Sequence, residues 1–400
     1  MYEAAMRDKN QNVIPTKPKT HCVSLILTWH SPNTRATLHG WNDNLIRESL
    51  LEMNSEFKYN VYEYNVPRDF VAEISKLDPK ISNFALLMAW VCLAVLISTI
   101  RFVIPAEYFW YAYVPFIFLI AGRFGVFLQL IHEGTHYLLH PDRRWNHFIG
   151  TWFCARPVGV NFDGYAYGHI RHHAFTNTDK DPKSDTEKYR VCDFRNPRLY
   201  LLFLKDLLGI TALSIFFDYN DGSAESGEKV GKKNHFSTKL QDLFGLCFVQ
   251  LIILAVLFQF DVLDYILLWL VPAISPHMFL MRVRGIAEHG LSKQLGVTPI
   301  TNPAYGEFYT RSFLTSKNCY KFAPLIWLEK ALIASLNVYY HHEHHMLATV
   351  PYYNLNKLHD RVKDQVEKRN PDVYAKGYFA AAMRNLLQNT PVPQTSGVPS

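Results

Sequence analysis

Residues 81–100 read ISNFALLMAWVCLAVLISTI, twenty positions without a charge between Lys80 and Arg101. A helix rises about 1.5 Å per residue, so this stretch covers the roughly 30 Å hydrocarbon core of a bilayer. A second apolar run extends from Tyr108 to Ile131, interrupted only by Arg123, after a short connection ending at Glu107. A matching pair lies later in the chain, Leu243–Phe260 and Tyr265–Met281, separated only by DVLD. The pattern predicts an all-α integral membrane protein with four transmembrane helices in two hairpins. Helices buried in a soluble protein would not account for two tight hairpins of matching length.

Composition agrees. Hydrophobic residues make up 49% of the 400 and aromatics 14%, yet the mean hydropathy is −0.06. Apolar residues are therefore concentrated in spans, with a large polar portion outside. The net charge of +6 is mild and forms no dense basic stripe, which speaks against a nucleic-acid partner. Cys22, Cys92, Cys154, Cys192, Cys247 and Cys319 are scattered without a CxxC pair, so a reducing compartment is expected rather than a disulfide framework. The opening residues, MYEAAMRDKNQNVIPTK, contain no apolar core of a signal peptide.

The expected organisation is an N-terminal cytoplasmic region over 1–80, a membrane catalytic unit over 81–365, and a C-terminal helix with a disordered tail over 366–400. Leu199–Phe217 and Leu325–Tyr340 are apolar but carry Lys205, Asp206, Glu329 and Lys330. They are expected to lie as amphipathic helices at the membrane surface.

Nine of the eighteen histidines fall into four groups. HEGTH supplies His132 and His136; HIRHH supplies His169, His172 and His173; RGIAEHG supplies His289; HHEHH supplies His341, His344 and His345. Helical positions three or four apart lie on one face, with Cβ atoms about 5–6 Å apart, so two or three imidazoles of one box can converge on a metal. Nine nitrogens are too many for one ion and suit two. Imidazole binds iron, zinc, copper and nickel, so the ligands alone do not choose the metal.

The spans place every histidine group on one side of the membrane. The two opposite connections contain Arg101 as their only Lys or Arg, so the histidine side is expected to be cytoplasmic. Asp179, Asp181, Glu288 and Glu343, and also Glu133, stand close enough in sequence to orient ligating imidazoles. His21, His30, His39, His147, His235, His277 and His359 read as surface or structural. His140 sits on a fraying helix end before Pro141, and His342 lies off the HxxHH spacing.

These motifs resemble the membrane fatty acid desaturase/hydroxylase superfamily. HEGTH is similar to its first box, HIRHHAFTNTDKDP to its second, and HHEHHMLATVPYYNLNKLH to its third, the last in the manner of the fatty-acid-desaturase-like branch. RGIAEHG is similar to the segment that carries the superfamily's lone extra histidine. The resemblance spans roughly residues 80–365. It implies two non-haem irons held at the cytoplasmic ends of four transmembrane helices, with O₂ as co-substrate. It implies a lipid or hydrophobic small-molecule substrate, which a second C–H abstraction would desaturate and oxygen rebound would hydroxylate or, on repetition, convert to a ketone. The run HHMLATVP departs from the HHLFP-like sequence usual in the branch. No fused cytochrome b5 module is evident, so electrons are expected from a separate donor such as ferredoxin, rubredoxin or cytochrome b5.

Two rivals use fewer of these residues. HEGTH also fits the HExxH helix of zinc proteases, with Glu133 as general base and FDG at Phe162–Gly164 as a second motif; this leaves seven histidines unexplained. A metal transporter would place ligands near the membrane midplane, whereas these sit at span ends.

Overall fold

The computed structural model describes residues 64–178, 181, 194–221, 235–291, 310–313 and 323–387. Residues 1–63, Asp179, Cys22, Cys192, Cys319, His21, His30, His39 and the tail 388–400 lie outside them, as does the side chain of His235.

Helices α1 (Arg68–Ile74) and α2 (Pro79–Ser98) lead into α3 (Phe109–Thr135), then α4 (Arg143–Ile149) and α5 (Phe162–Phe175). After α6 (Pro197–Leu207) and α7 (Ile210–Asp221) come α8 (His235–Phe258) and the short α9 (Val262–Tyr265) and α10 (Val271–Ile274), joined by a π-helical turn. Helix α11 (Pro276–His289) completes that rod. Then follow α12 (Ala323–Leu332), α13 (His341–Met346), α14 (Leu355–Arg369) and α15 (Tyr378–Leu387). A two-stranded parallel pairing, β1 (Ser312–Phe313) with β2 (Tyr374–Ala375), ties the C-terminal part to the middle of the chain.

Among the described residues, four continuous helical stretches are long and apolar enough to cross a membrane: Arg68–Val103, Ala106–Thr135, Leu240–Phe258 and Val262–His289. They coincide with the four spans expected from hydropathy. On α2, Ala89, Leu93 and Ile97 are buried at four-residue intervals, while Phe84, Leu87 and Val95 are exposed. Such a helix keeps one stripe for its neighbours and offers the rest to lipid. Helix α3 is the central one, with fifteen of its residues buried. Trp269 locks the group, stacking on Trp90, meeting Phe124 edge-on and donating through Nε1 to the Pro157 carbonyl.

Arg123, the only Lys or Arg in the second span, has a structural explanation. Its NH2 donates to the Ala331 carbonyl at 2.6 Å, satisfying a carbonyl that the end of α12 leaves orphaned. The approach depends on Gly122, where a Cβ would stand 2.1 Å from that same oxygen. Away from the histidines, Arg101 pairs with Asp264 at 2.5 Å and donates to the Leu257 carbonyl, so the two inter-span connections meet.

The acids of the two segments expected at the membrane surface face the protein interior. Asp206 is fully buried, bonded by Arg282 and by the Thr211 hydroxyl. Glu329 is equally buried and accepts the Phe379 amide at the start of α15. These acids tie helices together, whereas Lys205 and Lys330 are exposed. Only Ala323–Leu332 of the second segment is helical; Leu336 and Asn337 take left-handed conformations before the third box. The 365/366 boundary falls inside α14.

Candidate metal centre

His132 closes the last turn of α3, and His136 is its C-cap. The chain then turns back through Tyr137 at φ 61. Asn146 fixes the turn, accepting from the Leu139 amide and donating to the Gly134 carbonyl. Asn161 caps α5 by accepting the Gly164 amide, and His169, His172 and His173 occupy the final turns. His289 ends α11, while His341, His344 and His345 line the six-residue α13. Four segments remote in sequence thus deliver nine imidazoles to one place.

The nine divide into two abutting groups. His132, His136, His169, His173 and His344 bring ligating atoms within 4.8 Å of one another. His172, His289 and His345 do the same, and His341 joins through His289 together with Glu288. The i,i+4 pair His169/His173 serves the first group and His172 the second; in the third box His341/His345 serve the second and His344 the first. Each HxxHH box therefore bridges the two groups rather than holding one ion, contrary to the simple one-box, one-face picture.

The contacts between nitrogens test whether metal fits. Nε2 of His173 lies 3.1 Å from Nε2 of His169 and 3.0 Å from Nε2 of His344. His136 and His169 meet at 2.8 Å, and His289 and His341 at 3.1 Å, again through Nε2. Lone pairs facing each other repel, and a proton can bridge only one pair at a time. Imidazoles bound side by side to one ion at about 2.1 Å would set their nitrogens about 3 Å apart. Nε2 of His345 is buried without a hydrogen-bond partner. The residues fit a pair of metal ions.

Electrostatics favours the ligating form. Burial first, and neighbouring imidazoles second, push His173, His341 and His345 well below the usual histidine range. They stay neutral, with a lone pair to give.

Carboxylates orient the rings. Asp181 accepts from Nδ1 of His172 at 2.9 and 3.0 Å, fixing the tautomer that turns Nε2 toward the second group. Burial opposes its ionisation, but His172 and the Asn177 amide outweigh that and lower its pKa. Glu343 is fully buried and accepts from His359 Nδ1 at 2.6 Å, from the Tyr374 hydroxyl at 2.9 Å and from Ser312. Burial opposes its ionisation too, yet the His359 contact prevails. Glu288 accepts from Arg284 and Tyr378.

Several residues here were not singled out from sequence. His359 anchors Glu343, and its sole hint was the LH closing the third motif. The Gln129 side-chain amide lies 3.1 Å from Nδ1 of His132; its spacing of three before the box was the signal available. Tyr378, Ser312 and Thr176 carried none. His342 is buried against Thr310 and outside both groups. His140 accepts the Asp142 amide, and His277 meets the Ala121 carbonyl deep in the fourth span; neither joins the metal groups.

Glu133, the general base of the protease reading, is held by its neighbours. Glu133 Oε2 accepts the Tyr352 amide at 2.9 Å and Oε1 faces Gln129, while Asp163 of FDG pairs outward with His147.

A family model described as fatty acid desaturase matches residues 108–376. The chain belongs to the fatty acid desaturase family. Its match covers the four histidine segments and ends within β2 and the turn before α15. Dihydrorhizobitoxine desaturase of Bradyrhizobium elkanii is 24% identical over 304 residues, 72% of this chain and 76% of that protein. Membership makes the chain an oxidoreductase of the desaturase type, in a membrane setting and with a lipid class of substrate.

Proposed function

We propose that this protein is an O₂-dependent di-iron desaturase of an acyl or related lipid substrate. The observation that carries the reading is the convergence of nine buried or half-buried imidazoles, five in one group and the other four in two sets that share His289. His132, His136, His169, His173 and His344 would hold one iron, and His172, His289, His341 and His345 the other. Two irons bound there would supply reductive activation of O₂ for attack on an unactivated C–H bond.

The chain's own residues position and shield that chemistry. Asp181 holds His172 in its ligating tautomer, and Glu343 with His359 and Tyr374 braces the third box from behind. Burial of both groups limits water, which protects a reactive site. The far-side connections carry Arg101 as their only Lys or Arg, and that charge is matched by Asp264; the positive-inside tendency therefore supports a cytoplasmic histidine face. Electrons would come from a separate protein such as ferredoxin, rubredoxin or cytochrome b5. The relative's name gives dihydrorhizobitoxine as what it desaturates, which leaves room for a substrate other than a simple fatty acyl chain.

The test begins with iron per chain of the detergent-purified protein, followed by mass analysis of lipids turned over with O₂ and a reduced donor. Close to two irons and a product lacking two hydrogens are expected. A product that gains oxygen would make the protein a hydroxylase or ketolase on the same centre. One zinc per chain, lost in His136→Ala but kept in His345→Ala, would overturn the di-iron reading.

A further inference from the structure

Four described carboxylates surround the histidines, and they use their oxygens differently. Both oxygens of Asp181 face Nδ1 of His172, the outward nitrogen of that ring. Glu343 gives one oxygen to His359 and Tyr374 and the other to Ser312. Glu133 gives Oε2 to the Tyr352 amide, while its Oε1 faces Gln129 and lies 3.4 Å from Nδ1 of His132, the nitrogen that Gln129 also meets. Glu288 differs in that, among the described carboxylates, it is the one grouped with histidine nitrogens close enough to share a metal. Its Oε1 is held by Arg284 Nε at 2.7 Å and by the Tyr378 hydroxyl at 3.0 Å. Its Oε2 lies 3.8 Å from Nε2 of His341. Glu288, His289 and His341 form a compact set of potential metal ligands in their own right.

From this geometry we infer that Glu288 is a direct ligand of the second ion, through Oε2. The inference rests on the two-metal reading above and adds a ligand to it. Atoms bound to one ion at about 2.1 Å stand between about 3 and 4.2 Å apart, from adjacent to opposite positions. The 3.8 Å separation falls within that range, and the 3.1 Å between His289 and His341 suits adjacent positions. The local chain geometry allows it, since Glu288 and His289 end α11 side by side. Arg284, one turn earlier, and Tyr378, from α15, pin the other oxygen and so aim this one.

The consequence is an unsymmetrical centre: five imidazoles on one ion, four imidazoles and a carboxylate on the other. An anionic oxygen donor stabilises the higher charge of its ion, so the two ions would differ in ease of oxidation. It would also give the second site a harder donor than imidazole, which suits iron better than copper.

The experiment compares iron per chain and Mössbauer spectra of full-length, detergent-purified wild type and Glu288→Gln. Wild type is expected to hold two irons with two distinguishable quadrupole doublets. Glu288→Gln keeps the side-chain shape and is expected to fall toward one iron, losing one doublet and leaving the other in place. Retention of two irons with both doublets unchanged would overturn the inference while leaving the di-iron reading intact. A wild type without two irons would overturn both. Should Glu288→Gln not accumulate in folded form, Glu288→Asp serves: its shortened carboxylate should shift one doublet alone, and two unmoved doublets would overturn the assignment.

Discussion

The five-histidine group takes two residues from the end of a candidate membrane span, two from α5 and one from α13, and its His136 and His173 are only half-buried. The four-histidine group is wholly buried and gathers carboxylates, with Asp181 behind His172 and Glu288 among the nitrogens. The two HxxHH boxes are shared between the groups, so the difference does not come from those motifs alone. It comes from what surrounds them: Gln129 is the polar neighbour of His132 on α3, whereas acids reach the second group from a loop and from the end of α11. Each half starts from the end of a candidate membrane span, α3 for the first and α11 for the second, and is completed by α5 and α13.

The largest effect is expected from removing one ligand of each half. His173→Ala and His345→Ala should each lose at least about a hundredfold in product formation, since even residues behind ligands typically cost about 10–100-fold. Iron per chain should fall toward one in each, from different halves. Loss of both irons from either variant would show that the halves bind as a single cooperative unit.

Asp181→Asn tests the acid-rich half more gently. The amide still reaches His172 but carries no charge, so iron retention against a chelator should weaken about 10–100-fold, at the second site alone. Equal weakening of both irons would erase the distinction between the halves.

The smallest effect belongs to the membrane frame. In Gly122→Ala the new methyl would meet the Ala331 carbonyl at 2.1 Å. Overpacking of this kind costs about 1–3 kcal/mol, read as a fall of a few degrees in melting temperature. The folded fraction should still hold two irons. Selective loss from the half built on α3 would instead make this packing part of the site.

Much of this molecule could be read from sequence because the relevant signals are local. The spans follow from uninterrupted apolar runs, and the structure has helices in all four places. The nine histidines were nameable because helical spacing puts imidazoles on shared faces, and all nine fall within the metal groups. Even the splitting of the boxes has a local root: at 3.6 residues per turn, positions i and i+4 lie about 40° apart, while i+3 falls to the other side. What spacing does not contain is where the second ion sits, and so which side matters.

The carboxylates mark the other limit. Asp181, Glu288 and Glu343 all stand near histidines in the sequence, yet one orients a ring, one turns an oxygen toward His341 and one braces α13 from behind. Those roles depend on Arg284, Tyr378, Ser312 and His359, three of which come from other segments than the acid they hold. Arg123 likewise appeared only as an interruption, although it satisfies the end of α12.

The sequence by itself determined which helices are long and apolar enough to span a membrane and which histidines can share a helix face, because hydropathy and helical spacing act over a few residues. Only the tertiary structure decided how nine imidazoles divide and what each acid does, because these depend on contacts between residues as far apart as Glu133 and Tyr352 and are set by packing rather than by neighbours in the chain.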